Sequence, residues 1–447
     1  MRIRSVLATH VPGIIAAALV LPWVIAGGSA WPWAPNTIDL DVYQLTARDL
    51  LAGRSIYDTR TPGWDLPFIY PPIAALLAVP MAFGERLFWQ IVWGVLQVVC
   101  LVVVARRLGL PANWRTGALV AAMVVGLEPI RTTIGYGQVN IILMTLVAAD
   151  LLPPSDQGRR RLPRGLLVGL AAAIKLTPLF FIGALLLAGR WRTVRNALLS
   201  FGGLNLFGLV LLPRDTVRFF TGVTGETTPD SLYVGNQSLV GAGLRLLEPR
   251  PLGMGVGLAV SVLVALAGLL VFVGLWRGSG PIRQDRALAV ALAGLTTCLV
   301  SPVSWTHHYV WAMPLAIVAF GPRLESVPKL WLIGCRALVL LIAAGLPLAL
   351  LPYAQGAELT YNWWQDTLGA AQPLLGAALL LGVAVPWTGP VLTDSWRSLQ
   401  RLRHSRATAA PGRGPQSPAS RGSSTAGQEL TRRPAGRKLR PCSSSFS

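Results

Sequence analysis

The chain has 447 residues, of which 53% are hydrophobic and only 13% charged, with a mean hydropathy of +0.54. Soluble domains carry about 25% charge, so an ordinary soluble fold is excluded, because too few polar groups exist to cover its surface. The net charge of +20 would otherwise raise nucleic acid as a partner, but the bases fall in short loops between apolar runs and in a tail, which argues against nucleic acid.

In chain order, the first apolar run, 11–30, ends in a cleavage-like Gly28-Ser29-Ala30 but reads as a retained span, since many more follow. Tyr70-Pro71-Pro72 then opens a short apolar run closing at Gly84-Glu85-Arg86. As a helix it reaches roughly 18 Å, too short for a hydrocarbon core of about 30 Å, so it is expected to lie at the interface in the first exterior loop. Further spans are expected near 87–105, 117–130 and 139–152. The segment 165–189 has Arg164 before it, Arg190 and Arg192 after it, and a break at Lys175-Leu176-Thr177-Pro178. It is expected to enter and return, with the break at its apex. Spans at 196–212, 253–276, 287–303, 309–321, 337–355 and 373–390 complete the reading, with a long exterior loop at about 213–252.

This describes an all-α polytopic membrane protein of about twelve crossings or half-crossings, with both termini cytoplasmic. The orientation rests on Arg106, Arg107, Arg115, Arg159 to Arg161, Arg164, Arg190, Arg192, Arg277, Arg283, Arg286 and Arg323, which then face the cytoplasm. Residues 1–394 form the membrane domain. From 395 to 447 the chain is rich in Arg, Ser, Pro and Gly and is expected to be a disordered cytoplasmic tail whose bases rest on anionic membrane lipid. Cys100, Cys298, Cys335 and Cys442 are scattered without CxxC spacing and indicate neither a metal site nor a disulfide framework.

Polar clusters interrupt the apolar pattern, and all are expected on the face opposite the basic loops. Asp39-Leu40-Asp41 offers two carboxylates suited to a general base or to a metal bound through a diphosphate, with helix capping as the alternative. Tyr70 lies in Leu66-Pro67-Phe68-Ile69-Tyr70, an aromatic at the interface. Gln138 and Asn140, in Gly135-Tyr136-Gly137-Gln138-Val139-Asn140, can bond sugar hydroxyls or close a tight turn. Asn236 and Gln237 sit within the long exterior loop, where functional segments concentrate. The stretch from Ser301 to Tyr309 holds Ser304, Trp305 and two of the chain's four histidines, His307 and His308. Adjacent histidines point about 100° apart on a helix and rarely share a metal, so a base or phosphate-pairing role fits one of them better. Lys175, inside an apolar segment, is a functional candidate by default, with snorkelling to the interface as the alternative.

Taken in order, DLDVY, GRSIYD, LPFIYPPIAALLAVP, GYGQVNIILM, AAAIKLTPLFFI, VGNQSLVG and SPVSWTHHYVW, from residue 39 to 311, resemble the polyprenyl-phosphate-mannose-dependent mannosyltransferases of actinobacteria, within the GT-C superfamily. The resemblance implies a GT-C-like helical bundle whose active site lies at the extracytoplasmic face. It implies a polyprenyl-phosphate-mannose donor and an acceptor that is a mannosylated lipid or cell-envelope glycan, joined in an α linkage, α-1,2 in the nearest members. It matches the family's first-loop acid to Asp39, with Asp41 second, and the late histidine to His307 or His308. Tyr70, Gln138, Asn140, Lys175, Asn236, Gln237, Ser304 and Trp305 are then the expected substrate contacts. Displacement on a β-linked donor inverts to α, and the leaving phosphate is a stable anion, so neither metal nor cofactor is required. Rival readings are a transporter or lipid flippase, which predicts two related halves that are not evident, and a transferase using another polyprenyl-phosphate sugar.

Overall fold

The computed structural model describes residues 37–153, 162–222, 229–278, 285–321, 328–353 and 356–384. The expected first span at 11–30, the Arg159 to Arg161 triplet, Arg283, Arg323 and the tail from 395 lie outside the described residues. Among those described there is no β-strand, only isolated bridges between Arg60 and Pro67 and between Asn236 and Trp305.

The first described helices are α1 (Ile38–Leu51), α2 (Pro72–Ala78, running on as a 3-10 turn over Val79–Ala82) and α3 (Arg86–Arg107). Proline in the first turn of α2 supplies a preset φ where no N–H partner is needed. Next come α4 (Trp114–Gly126) and α5 (Glu128–Tyr136), which meet at a bend of 82°. The expected span at 117–130 stops at this bend. Leu127 leaves the helical region at φ −100°, ψ 107°, and Pro129 has no N–H to donate back into α4, so the chain leaves the α4 axis and α5 carries Gly135-Tyr136 sideways. Gly137 closes α5 at φ +72°; a Cβ there would stand 2.7 Å from that of Leu40, so only glycine lets α1 approach.

After α6 (Asn140–Leu151), the segment with the KLTP break forms α7 (Leu166–Ile174) and α8 (Leu179–Leu187). Helix α9 (Trp191–Leu211) begins at once. Asn196 Nδ2 donates to the Arg164 carbonyl (2.9 Å) and Ser200 Oγ to that of Leu166 (2.9 Å), so α7 climbs beside the first half of α9 and α8 descends to α9's start. The segment therefore enters and returns. Asp150 terminates this base: its carboxylate accepts from the backbone N–H groups of Gly165, Leu167 and Val168 at 2.8–3.0 Å, capping α7 where the helix dipole favours an anion.

The rest comprises α10 (Pro213–Thr221), α11 (Leu239–Leu246), α12 (Arg250–Arg277), α13 (Arg286–Val300), a 3-10 turn (Thr306–Trp311) leading into α14 (Ala312–Ala319), α15 (Lys329–Ala344), α16 (Leu346–Leu350) and α17 (Trp363–Ala384). Two expected boundaries move. The span placed at 337–355 begins at Lys329 and breaks at Gly345, because Arg336, which closed the apolar window, bonds the Ala319 carbonyl (2.9 Å) and stays within the helix. The span placed at 373–390 begins at Trp363, with Trp363 and Trp364 exposed in its first turn.

Helices α3, α9, α12 and α17 are long and apolar enough to cross a membrane, and the bent pair α4–α5 makes a fifth if counted as one. Contacts between helix ends give the bundle two unlike poles. At one, Arg107 bonds the Ala149 and Leu152 carbonyls, Arg277 bonds those of Leu187 and Ala188, and Arg286 stacks on Trp276. At the other lie the start of α6, the apex of α7–α8 and the end of α13, which bring Asn140, Lys175 and residues 301–308 together.

Close packing of α7 on α9 depends on Gly169, where an added Cβ would overlap the Ala197 carbonyl oxygen. Gly169→Ala should destabilise the protein by about 1–3 kcal/mol, whereas Gly183→Ala on α8, which meets nothing within 4 Å, should be neutral or slightly stabilising. Thermal unfolding in detergent compares the two; equal effects would contradict the packing described.

Candidate active site

Asp39 and Asp41 sit in the first turn of α1, where acids suit the helix dipole. Two residues apart they point roughly 200° from one another, and the structure gives them different partners. Asp41 is held by Arg86 from the start of α3, through Nε (2.8 Å) and Nη2 (2.7 Å), and the same guanidinium bonds Thr37. Asp39 lies beside the Gln138 side-chain amide and in the field of Lys175. It is packed on most sides yet keeps some accessible surface, as a group lining a cleft does. Removal from water pushes its carboxyl from 3.8 to about 7, against the lowering by the Lys175 charge and the Gln138 bond.

Gln138 is shared. Its Oε1 accepts from Tyr70 Oη (3.1 Å), Tyr43 Oη (3.3 Å) and the Val139 backbone N–H (3.1 Å). The Tyr43 and Tyr70 rings meet edge to face at 5.7 Å. Thus α1, the loop before α2 and the turn after α5 converge on one amide.

Lys175 marks the apex of the re-entrant segment. Its Nζ donates to Asn140 Oδ1 (3.0 Å), lies 3.4 Å from His308 Nε2 and stands 5.6 Å above the Tyr70 ring. Asn140 Nδ2 (3.2 Å) and Thr133 Oγ1 (2.7 Å) both donate to the His307 carbonyl, which fixes the histidine turn against α5 and α6. The two imidazoles are nearly perpendicular, centroids 4.8 Å apart, so they face different surroundings. His308 borders a cavity of about 70 Å³ with Asn140, Lys175, Cys298 and Ser304. His307 is buried, with Nε2 unpartnered and its ring against Tyr136.

The remaining expected contacts form a scaffold. Asn236, Gln237 and Ser238 are fully buried. Asn236 Oδ1 accepts from the Ser304 (2.9 Å) and Ser238 (3.2 Å) backbones, and Gln237 N donates to the Ser304 carbonyl (2.8 Å). Gln237 Nε2 bonds the Val234 and Gly369 carbonyls. These amides, expected to meet substrate, instead tie the loop after α10 to the Ser301 to Tyr309 stretch. Trp305 remains partly exposed and packs on Tyr233 at 5.8 Å. Among the described residues no three His, Cys, Asp or Glu side chains converge as a metal site would.

Residues 68–302, more than half of the chain, match the profile of glycosyltransferase family 87. The chain belongs to this family. As a family 87 glycosyltransferase it is 34% identical over 420 residues to the polyprenol-phosphate-mannose-dependent alpha-(1-2)-phosphatidylinositol mannoside mannosyltransferase of Mycobacterium tuberculosis (strain ATCC 25618 / H37Rv), covering 85% of this chain and 93% of that protein. It is 33% identical to the protein of the same description from Mycolicibacterium smegmatis (strain ATCC 700084 / mc(2)155), over 80% of this chain and 84% of the relative. A pentamannoside mannosyltransferase from the latter organism is 34% identical over 76% of this chain and 83% of its own length. Relatives described with different acceptors are thus equally similar. No solved structure matches the chain.

The glycosyltransferase also holds polar groups that the reading of motifs passed over. Glu128 is buried at the start of α5, its Oε1 accepting from Thr132 (2.7 Å) and Thr306 (3.0 Å). Arg245 is buried in α11 and donates to the carbonyls of Asn236 and Gly369. Both are ionisable residues within or beside apolar stretches, the same signal that singled out Lys175.

The two α1 acids should respond unequally to neutralisation. With its folded-state value raised, Asp39 binds its proton more tightly in the native than the unfolded chain, so its ionisation costs stability as pH rises from about 4 to 7. Burial raises the Asp41 carboxyl too, but the Arg86 hydrogen bonds and charge oppose it. At pH 8 Asp39→Asn should therefore raise the thermal midpoint more than Asp41→Asn does. A larger rise in Asp41→Asn in thermal unfolding would refute the division.

Proposed function

We propose that this family 87 enzyme transfers mannose from polyprenyl-phosphate mannose to a mannosylated phosphoinositide-type glycolipid, forming an α-1,2 linkage with inversion. Donor and linkage follow what its relatives are described as doing. The observation that carries the site assignment is the convergence of Asp39, Gln138, Asn140, Lys175 and His308, from four separate segments, at one pole of the bundle.

In this reading the acceptor hydroxyl oxygen attacks the anomeric carbon from the face opposite the phosphate. The carbon–oxygen bond to phosphate breaks, the bonding pair leaves with polyprenyl phosphate, and the hydroxyl proton passes to the Asp39 carboxylate. A carboxyl titrating near 7 is matched to that task at neutral pH. Lys175 spends two donors on Asn140 and His308; the third is available to a phosphate oxygen as its negative charge grows. The cavity beside it has room for about two waters, the scale of a phosphate's oxygens rather than of a hexose. Tyr70 and Gln138 hold Asp39 in place, Asp41 anchors α1 through Arg86, and His307 or His308 orients the hydroxyl or the phosphate.

Residues 1–394 constitute the catalytic membrane domain in this proposal, with about twelve crossings or half-crossings. The short α2 is interfacial, the termini and the 395–447 tail are cytoplasmic, and the site is extracytoplasmic. The segregation of Arg107, Arg277 and Arg286 to the pole away from Asp39 supports this orientation. A single cysteine at exposed Asp58 should label with a membrane-impermeant maleimide from outside intact cells, and one at exposed Arg190 only after the inner face is opened. The reverse pattern would invert the site.

Purified protein incubated with polyprenyl-phosphate mannose and mannosylated lipid, followed by linkage analysis of the product, tests the reaction. Asp39→Asn should lower turnover by about 100-fold or more. Wild-type kcat/KM should rise with pH through about 7 as the carboxyl ionises. Near-wild-type turnover in Asp39→Asn would remove it as the base.

A further inference from the structure

Among the buried polar atoms near the site that have no partner are Oε2 of Glu128 and Nε2 of His307. Both side chains are 7% exposed, and a polar atom so deep is costly unless something completes its bonding. They are neighbours through one turn, since Thr306 donates to Glu128 and His307 follows it. Gly345, at φ +58°, brings the break between α15 and α16 onto the Glu128 stem.

Aromatic rings continue from this pair. Tyr136 meets the His307 ring at 5.3 Å and is within electrostatic reach of Glu128, Asp39 and Tyr353. Tyr233 lies 5.8 Å from Trp305 and 6.0 Å from Tyr353. Tyr136, Tyr233 and Trp305 are partly exposed and Tyr353 is 52% exposed. The strand of chain after α16 is fastened here, Glu358 Oε1 accepting from the Val234 backbone N–H (3.2 Å) and Tyr361 Oη bonding the Pro352 carbonyl.

Partly exposed aromatic faces beside a buried carboxylate and imidazole are suited to a neutral hexose. Its C–H face packs on the rings, and its hydroxyls donate to Glu128 and His307. Glu128 and Glu358 disfavour an anion at this place, whereas Lys175, across the histidine pair, favours one. We propose that Tyr136, Tyr233, Trp305 and Tyr353 with Glu128 form the subsite for the acceptor's terminal hexose, separate from the donor phosphate at Lys175. This rests on the glycosyl-transfer reading above. It gives the attacking hydroxyl a position between the rings and Asp39, and makes Tyr353 a determinant of acceptor choice.

The test uses full-length protein in lipid nanodiscs, with an alkyl α-dimannoside as probe and calorimetry as readout, beside steady-state KM for acceptor and donor. Glu128→Gln keeps size and a hydrogen-bonding oxygen, and Tyr353→Ala removes an exposed ring, so both should fold. Each should weaken probe binding by about tenfold, a change equal to one good contact, and raise acceptor KM by a similar factor with donor KM unchanged. Gly183→Ala, on α8 with open space around it, should bind the probe as wild type does. No binding by wild type, wild-type affinity in both variants, or a rise confined to donor KM would each overturn the subsite. Wild type that binds the probe but transfers no mannose would end the reaction proposed above and leave the subsite standing.

Discussion

The ammonium group of Lys175 constrains much of the active pole. A lysine at the apex of an apolar, re-entrant segment must find partners or be lost to the interface. Here it finds Asn140 at the start of α6 and His308 in the turn before α14. Asn140 in turn holds the His307 carbonyl, which Thr133 of α5 also holds. One partly buried cation therefore gathers three chain segments more than 30 residues apart. The α7–α8 break follows from the same need, because a continuous helix through Pro178 would forfeit a backbone bond and carry the lysine past its partners.

The carboxylates around the bundle divide according to what meets them. Asp150 caps α7, Asp41 pairs with Arg86, and Asp215 accepts from Ser55 to pin the first loop onto α10. Each has a structural task. Asp39 has none that the fold shows, and burial raises its carboxyl against the Gln138 amide and the Lys175 charge. A carboxyl without a structural task is the one free to exchange a proton with a substrate.

Much of the helical skeleton could be read from hydropathy and charge. The re-entrant 165–189 segment, α3, α9 and α12 lie close to where apolar runs place them. Hydropathy failed where a polar residue is accommodated inside a helix: Arg336 truncated α15 because its bond to the Ala319 carbonyl is invisible in sequence. It also missed the 82° bend at α4–α5, although Glu128-Pro129 marks it. Glu128 was overlooked inside a run taken as apolar, and Arg245 because it lay in what reads as a long exterior loop, where a charge is ordinary.

What the sequence determined by itself was composition-level and motif-level: a helical membrane protein, a family resemblance, and the set of polar residues its apolar runs cannot explain. Those are local properties, set by residue type and spacing. The tertiary structure decided which of these residues share a site. Asp39 and Asp41 are equivalent in sequence, yet a turn of helix sends one to Arg86 and the other to Gln138 and Lys175. Asn236 and Gln237 look as suited to sugar as Asn140 does, yet Asn236 Oδ1 accepts from the backbone of the histidine loop and Gln237 Nε2 donates to the Val234 and Gly369 carbonyls. A side chain's availability depends on what packs against it from distant parts of the chain, and only the folded arrangement supplies that.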